Sequence, residues 1–106
     1  MAGKVSLREV TRDTVRDVCR LQVGPGQDRF VAPNAVSIAQ AYFEPKAWFR
    51  GIYADEEPVG FLMLYEDREK PEYFLWRLMI AAQQQGKGYG RQALELLVER
   101  VRGLPG

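Results

Sequence analysis

The stretch QQGKGYGRQALELL, residues 84–97, sets Gly86, Gly88 and Gly90 at alternate positions, with the cations Lys87 and Arg91 among them, at the head of an amphipathic run. Tyr89, Ala93, Leu94, Leu97, Val98 and Val101 recur at helical spacing, and Arg91, Glu95, Glu99 and Arg102 make the opposite stripe. The pattern predicts a helix that Gly103 ends. The first turn of a helix leaves backbone N–H groups without internal partners and concentrates partial positive charge. Glycines there let an anion reach the main chain, and the two cations add charge beside it. One glycine would mean no more than a flexible turn before a surface helix. Three at alternate positions, directly after a strand-like segment, point to a pyrophosphate. A P-loop needs glycine at 81 and Ser or Thr after the lysine, where this chain has Ala81 and Gly88. Gly88-Tyr89-Gly90-Arg91-Gln92-Ala93 has the form G-x-G-x-x-A, yet a dinucleotide fold expects a parallel strand and an acidic residue about 20 residues onward, which nothing up to Gly106 supplies.

Before the glycines come three aromatic- and branched-rich segments, AWFRGIYA (47–54), PVGFLMLYE (58–66) and EYFLWRLMI (72–80), joined by the short charged turns DEEP (55–58) and DREKP (67–71). They read as an antiparallel meander, the acidic turns as solvated, and the middle strand as covered on both faces. KVSLREV (4–10) reads as a first strand. Helix one, roughly 12–22, starts at a capping box from Thr14 to Asp17 and stops at Gly24-Pro25-Gly26, with Cys19 on its apolar face as a buried small hydrophobe. GPGQDRFVAPN (24–34) reads as loop. Asn34 is then placed to cap a second helix that ends before Pro45, with Ile38, Ala41 and Tyr42 toward the core. The order β-α-α-β-β-β-α predicts an α/β (α+β) fold, a mostly antiparallel sheet flanked by helices.

At 106 residues, 46 % apolar and 27 % charged, the chain fits one globular domain, and a net charge of +1 gives no field that would mark a nucleic-acid partner. No segment has the ~18–20 uncharged apolar residues of a membrane span. A single cysteine and no signal-like start read as cytoplasmic. The absence of histidine excludes histidine acid/base catalysis, His-dependent triads and most zinc sites, and no metal site is expected.

Gln85-Gly86-Lys87-Gly88-Tyr89-Gly90 matches Q/R-x-x-G-x-G/A, and in its strand–loop–helix setting the chain resembles the GNAT superfamily of acyl-CoA-dependent N-acetyltransferases. FVAPNAVSIAQAYFEPKAWFRGIY, PVGFLMLY and EYFLWRLMI look like the spermine/spermidine branch. The resemblance implies acetyl-CoA as cosubstrate and a primary amine, such as spermidine or spermine, as acceptor. Leu78, Met79 and Ile80 would offer backbone to the acetyl and pantetheine groups, and Gln85, Gly86, Lys87, Gly88, Tyr89, Gly90 and Arg91 would hold the pyrophosphate. The chemistry implied is direct attack of a neutral amine on the thioester. The catalytic residues are not assigned. Glu44, Glu66 and Glu72 are available carboxylates, each read first as a solvated surface group. The chain departs from the family in having Ala81-Ala82-Gln83-Gln84 before the motif. It also looks like the acetyl-CoA-binding part of one domain, 1–106, with C-terminal strands and a helix missing. Turnover of spermidine is therefore expected to be slow or undetectable, and the alternative function is a catalytically silent CoA-binding or self-associating fragment. An uncovered strand 72–80 and helix 89–102 would pair two copies as a homodimer.

Overall fold

The computed structural model describes residues 3–24 and 33–104. Strands β1 (Val5–Arg8), β2 (Ala47–Ala54), β3 (Glu57–Asp67) and β4 (Glu72–Ile80) form one sheet in chain order, with every neighbouring pair antiparallel. Helices α1 (Val15–Arg20) and α2 (Asn34–Phe43) intervene between β1 and β2, and α3 (Tyr89–Arg102) follows β4. This is the predicted element order, and the meander falls within a residue of its predicted bounds. Residues 25–32 of the expected loop lie outside the described residues.

Alternation along the central strand divides the core in two. Leu62 and Leu64 point to one face, where they pack with Val5, Ile52 and Val59 under Tyr89, Ala93 and Leu97 of α3. Phe61 and Met63 point to the other, with Val18 of α1 and Met79, and with Ile38 and Ala41 of α2 packed against them. β3 is therefore buried on both faces from Val59 to Leu64, as its unbroken apolar run predicts. Gly60 is a strand glycine with a packing reason. It pairs with Ile80, and a Cβ there would overlap the Met79 carbonyl oxygen and lie 2.9 Å from Ile80 Cδ1. The glycine lets the end of β4 sit close against β3.

Several local expectations are corrected. Tyr42 does not face the core: it is 84 % exposed, in edge contact with the equally exposed Phe43. α2 turns only Asn34, Ser37, Ile38 and Ala41 inward, so the apolar stripe ends one residue before Tyr42. Asn34 does not cap α2. Pro33 holds that position, and the buried Asn34 amide donates to the Val18 carbonyl at 2.8 Å, tying α2 to α1. Thr14 makes no N-cap bond either. Its hydroxyl accepts from the Thr11 N–H at 2.8 Å, which winds the chain one turn earlier than the box predicts. Cys19 is half-buried rather than in the core, since neighbouring Val18 takes the buried position. On α3, Leu94 and Val98 are exposed although they belong to the predicted stripe, while Leu96 packs against the core in their place. The sheet lies under the flank carrying Ala93 and Leu97, and two of the six stripe residues fall outside it.

Candidate functional site

β4 is the outer strand, and its last residues lead directly into the glycine loop. Arg77 pairs with Met63 but Leu75 with Leu64, so Trp76 is an extra residue that bulges β4 and redirects it toward Ile80. The strand then turns through Ala82–Gln84, a single 3₁₀ turn. The start of this turn is fixed from two sides: the Ala81 N–H donates to Val59 O and the Ala82 N–H to Gln22 O, both at 2.8 Å. Gln85 Nε2 returns to the Ile80 carbonyl at 2.9 Å and closes the loop on the strand it left.

Gly86 and Gly88 both take left-handed backbone, φ +81° and +83°, which an L side chain adopts only under strain. Gly88 precedes α3, and the first bond within the helix runs from the Gln92 N–H to its carbonyl at 3.1 Å. The N–H groups of Tyr89, Gly90 and Arg91 therefore have no acceptor inside the helix. A Cβ at Gly86 would meet nothing within 4 Å, and one at Gly88 only Gln92 Nε2 at 3.9 Å. The loop thus presents bare backbone to open space at a helix start, where an anion is favoured by both hydrogen bonding and charge.

All ten residues singled out in the sequence, from Leu78 to Ile80 and from Gln85 to Arg91, lie on this strand end and loop, but their side chains divide. Met79 and Tyr89 are buried in opposite core layers, so they can offer backbone only. Lys87 Nζ is held by Gln84 Oε1 at 3.0 Å, and the exposed Arg91 pairs loosely with Glu95 at 3.4 Å. Both cations remain beside the loop. Three neighbours were given no role in the sequence reading. Gln84 bridges Lys87 and Glu57, donating to Glu57 Oε1 at 3.2 Å, which makes Glu57 the carboxylate brought to the loop. Gly60 lies against the end of β4 that leads into the loop, and its signal was a glycine inside an otherwise apolar strand.

Glu44, Glu66 and Glu72 gather at the other end of the sheet. Glu72 opens β4, some 26 Å from Ile80 at the rise of an extended strand. Glu44 precedes β2, whose first residue pairs with Tyr65 and so lies level with Phe74. Glu66 is not solvated: its buried carboxylate takes a two-pronged bond from Arg100 at 2.7 and 3.0 Å, with Arg68 at 3.7 Å. Arg100 also lies 3.8 Å from the centre of the Trp48 ring. Beside this pair the Lys46 ammonium, 3.0 Å from Asp67, holds the Asp67 carboxyl below the usual carboxylate range, helped by the N–H groups of Lys70 and Glu69. The group is a polar fastening of α3 to the sheet.

Among the described residues no helix is long and apolar enough to cross a membrane, and no three His, Cys, Asp or Glu side chains are grouped to hold a metal ion. No curated protein matches the chain. Five solved chains do. One is the crystal structure of an acetyltransferase from Thermus thermophilus, which superposes with a TM-score of 0.71 at 24 % identity over 98 % of this chain and 74 % of that one. At that identity the likeness speaks to the fold. The model of the Acetyltransferase (GNAT) family matches residues 16–106 and so spans α1 from its second residue, α2, the meander, the glycine loop and α3. The chain belongs to the GNAT acetyltransferase family.

Proposed function

We propose that this chain binds acetyl-CoA along the end of β4 and the glycine loop and transfers the acetyl group to a primary amine. The observation that carries the reading is the left-handed Gly88 before α3, with three N–H groups lacking intrahelical acceptors beyond it and open space above. In this reading Gly88 through Arg91 bind the pyrophosphate by main chain, with Lys87 and Arg91 as mobile counter-charges. Leu78, Met79 and Ile80 offer the outward backbone groups of an edge strand to the pantetheine arm and the thioester. Because the acyl group makes little of this binding, CoA and acetyl-CoA are expected to bind with similar affinity. The test is calorimetry with both ligands, followed by an amine-dependent thiol-release assay. Thiol release above the amine-free rate is the expected result. Binding without release would favour the second reading, a catalytically silent CoA-binding module, and absence of binding would overturn both.

The same strand supports a homodimer. The outer edge of β4 exposes Phe74 and Leu75, and beside them a groove of about 430 Å³ runs to Val98 and Val101 of α3. An antiparallel edge pairs with its own copy under two-fold symmetry, which would cover the first half of β4 and leave Leu78–Ile80, beyond the bulge, for the acyl arm. Light scattering at micromolar concentration should report a dimer, and Leu75→Lys should shift it toward monomer. A monodisperse monomer would remove this interface.

A further inference from the structure

Two side-chain polar atoms, Ser37 Oγ and Arg77 Nε, are buried without a hydrogen-bond partner among the described residues. Orphans of this kind are costly and few in natural folds. These two lie on elements that face each other. Arg77 Nη2 donates to Gln40 Oε1 of α2 at 3.1 Å, and Ser37 stands one helical turn before Gln40 on the same side of that helix. The other acceptor of Arg77 is also neutral: Nη1 donates to the Trp76 carbonyl at 3.2 Å. No carboxylate among the described residues lies within ion-pair range of this half-buried guanidinium.

Resting on the acetyl-transfer reading, we propose that Arg77 is the anchor for an acceptor that carries a carboxylate as well as its primary amine. A guanidinium binds a carboxylate most strongly through two parallel N–H groups, and Arg77 has Nε–H free and a second hydrogen on Nη2. Gln40, whose residue is exposed, covers this fork with a neutral amide oxygen. A carboxylate that displaces that oxygen and spans Nη2 and Nε replaces one bond to a neutral acceptor with two to an anionic one. Arg77 directly precedes Leu78, so the anchored end lies on the α2 side of β4, next to the strand segment assigned to the thioester. A polycation such as spermine meets a positive charge at the same place.

Lysine and cadaverine differ by one carboxylate and make a matched pair of probes. In the thiol-release assay the wild-type chain is expected to prefer lysine by tenfold or more in kcat/KM. Arg77→Met should erase the preference, Arg77→Lys should restore part of it, and the CoA affinity of both variants should stay at the wild-type value. Independently of turnover, lysine titrated into the CoA-free protein should shift the Arg77 Nε–H resonance, and cadaverine should not. Equal kcat/KM for the two amines, or a resonance that lysine leaves in place, overturns the proposal. If CoA itself fails to bind, the acetyl-transfer reading falls, while the Nε–H titration still decides whether Arg77 takes a carboxylate.

Discussion

Gly88→Val is expected to reduce CoA affinity by at least a hundredfold while leaving the chain folded. A valine at φ +83° is strained by about 1–2 kcal/mol or more, but its Cβ meets only the far end of Gln92, so the fold has no clash to resolve. The cost falls on the ligand. A branched side chain in that open space occupies the approach to the Tyr89, Gly90 and Arg91 N–H groups. Losing two charge-assisted bonds at about 1.5–3 kcal/mol each corresponds to a factor of roughly 10² to 10⁴ in affinity. Calorimetry checks it, and unchanged affinity in a folded variant would refute the assigned loop.

Arg100→Ala should have the opposite signature, a large loss of stability with CoA binding retained in the folded fraction. Arg100 satisfies both oxygens of the buried Glu66 and covers the face of Trp48, and the alanine variant leaves that carboxylate with Arg68 alone at 3.7 Å. Breaking a buried ion pair from one side costs about 3–5 kcal/mol, and the lower value fits a side chain that keeps 27 % of its exposure. About 3 kcal/mol lowers the melting temperature of a chain this size by roughly 12–20 °C. Arg100→Lys should recover only part of it, since an ammonium cannot make the two-pronged bond. Arg100 lies about 18 Å along the helix from Gly88, which is why the two effects separate. A thermal melt displaced by less than about 4 °C would show that Glu66 finds another partner.

The meander was legible because β2, β3 and β4 are rich in branched and aromatic residues, and because their turns are too short for anything except hairpins. The glycine loop was legible because its residue types are explained by the helix that follows. Side-chain direction was harder to read. Tyr42 continues the apolar spacing of α2, but the helix ends at Phe43, beyond the reach of the core beneath it. Glu66 looked like a surface acid, since its partner Arg100 is distant in the chain and only the packing of α3 brings them together. Asn34 has the residue type of a cap, yet Pro33 already starts the helix and the amide serves the neighbouring α1. Arg77 is the one cation in β4, and its lack of a counter-charge among the described residues is a property of the folded arrangement that no pattern along the chain announces.

The sheet follows chain order, and the only long connection within it, residues 9–46, is the excursion that carries α1 and α2. α1 and α2 cover one face of β3, whereas α3 packs on the other and the glycine loop follows the strand end. Variation in α2 can therefore reshape the wall above Arg77 without altering the register of the hairpins, whereas the segment after α1 is tied to the loop, because the Gln22 carbonyl holds the Ala82 N–H at its start. In the proposed reading, choice of acceptor and grip on the donor are thus divided between two parts of the chain, a helix laid over one face of the sheet and the bare backbone where the sheet gives way to α3.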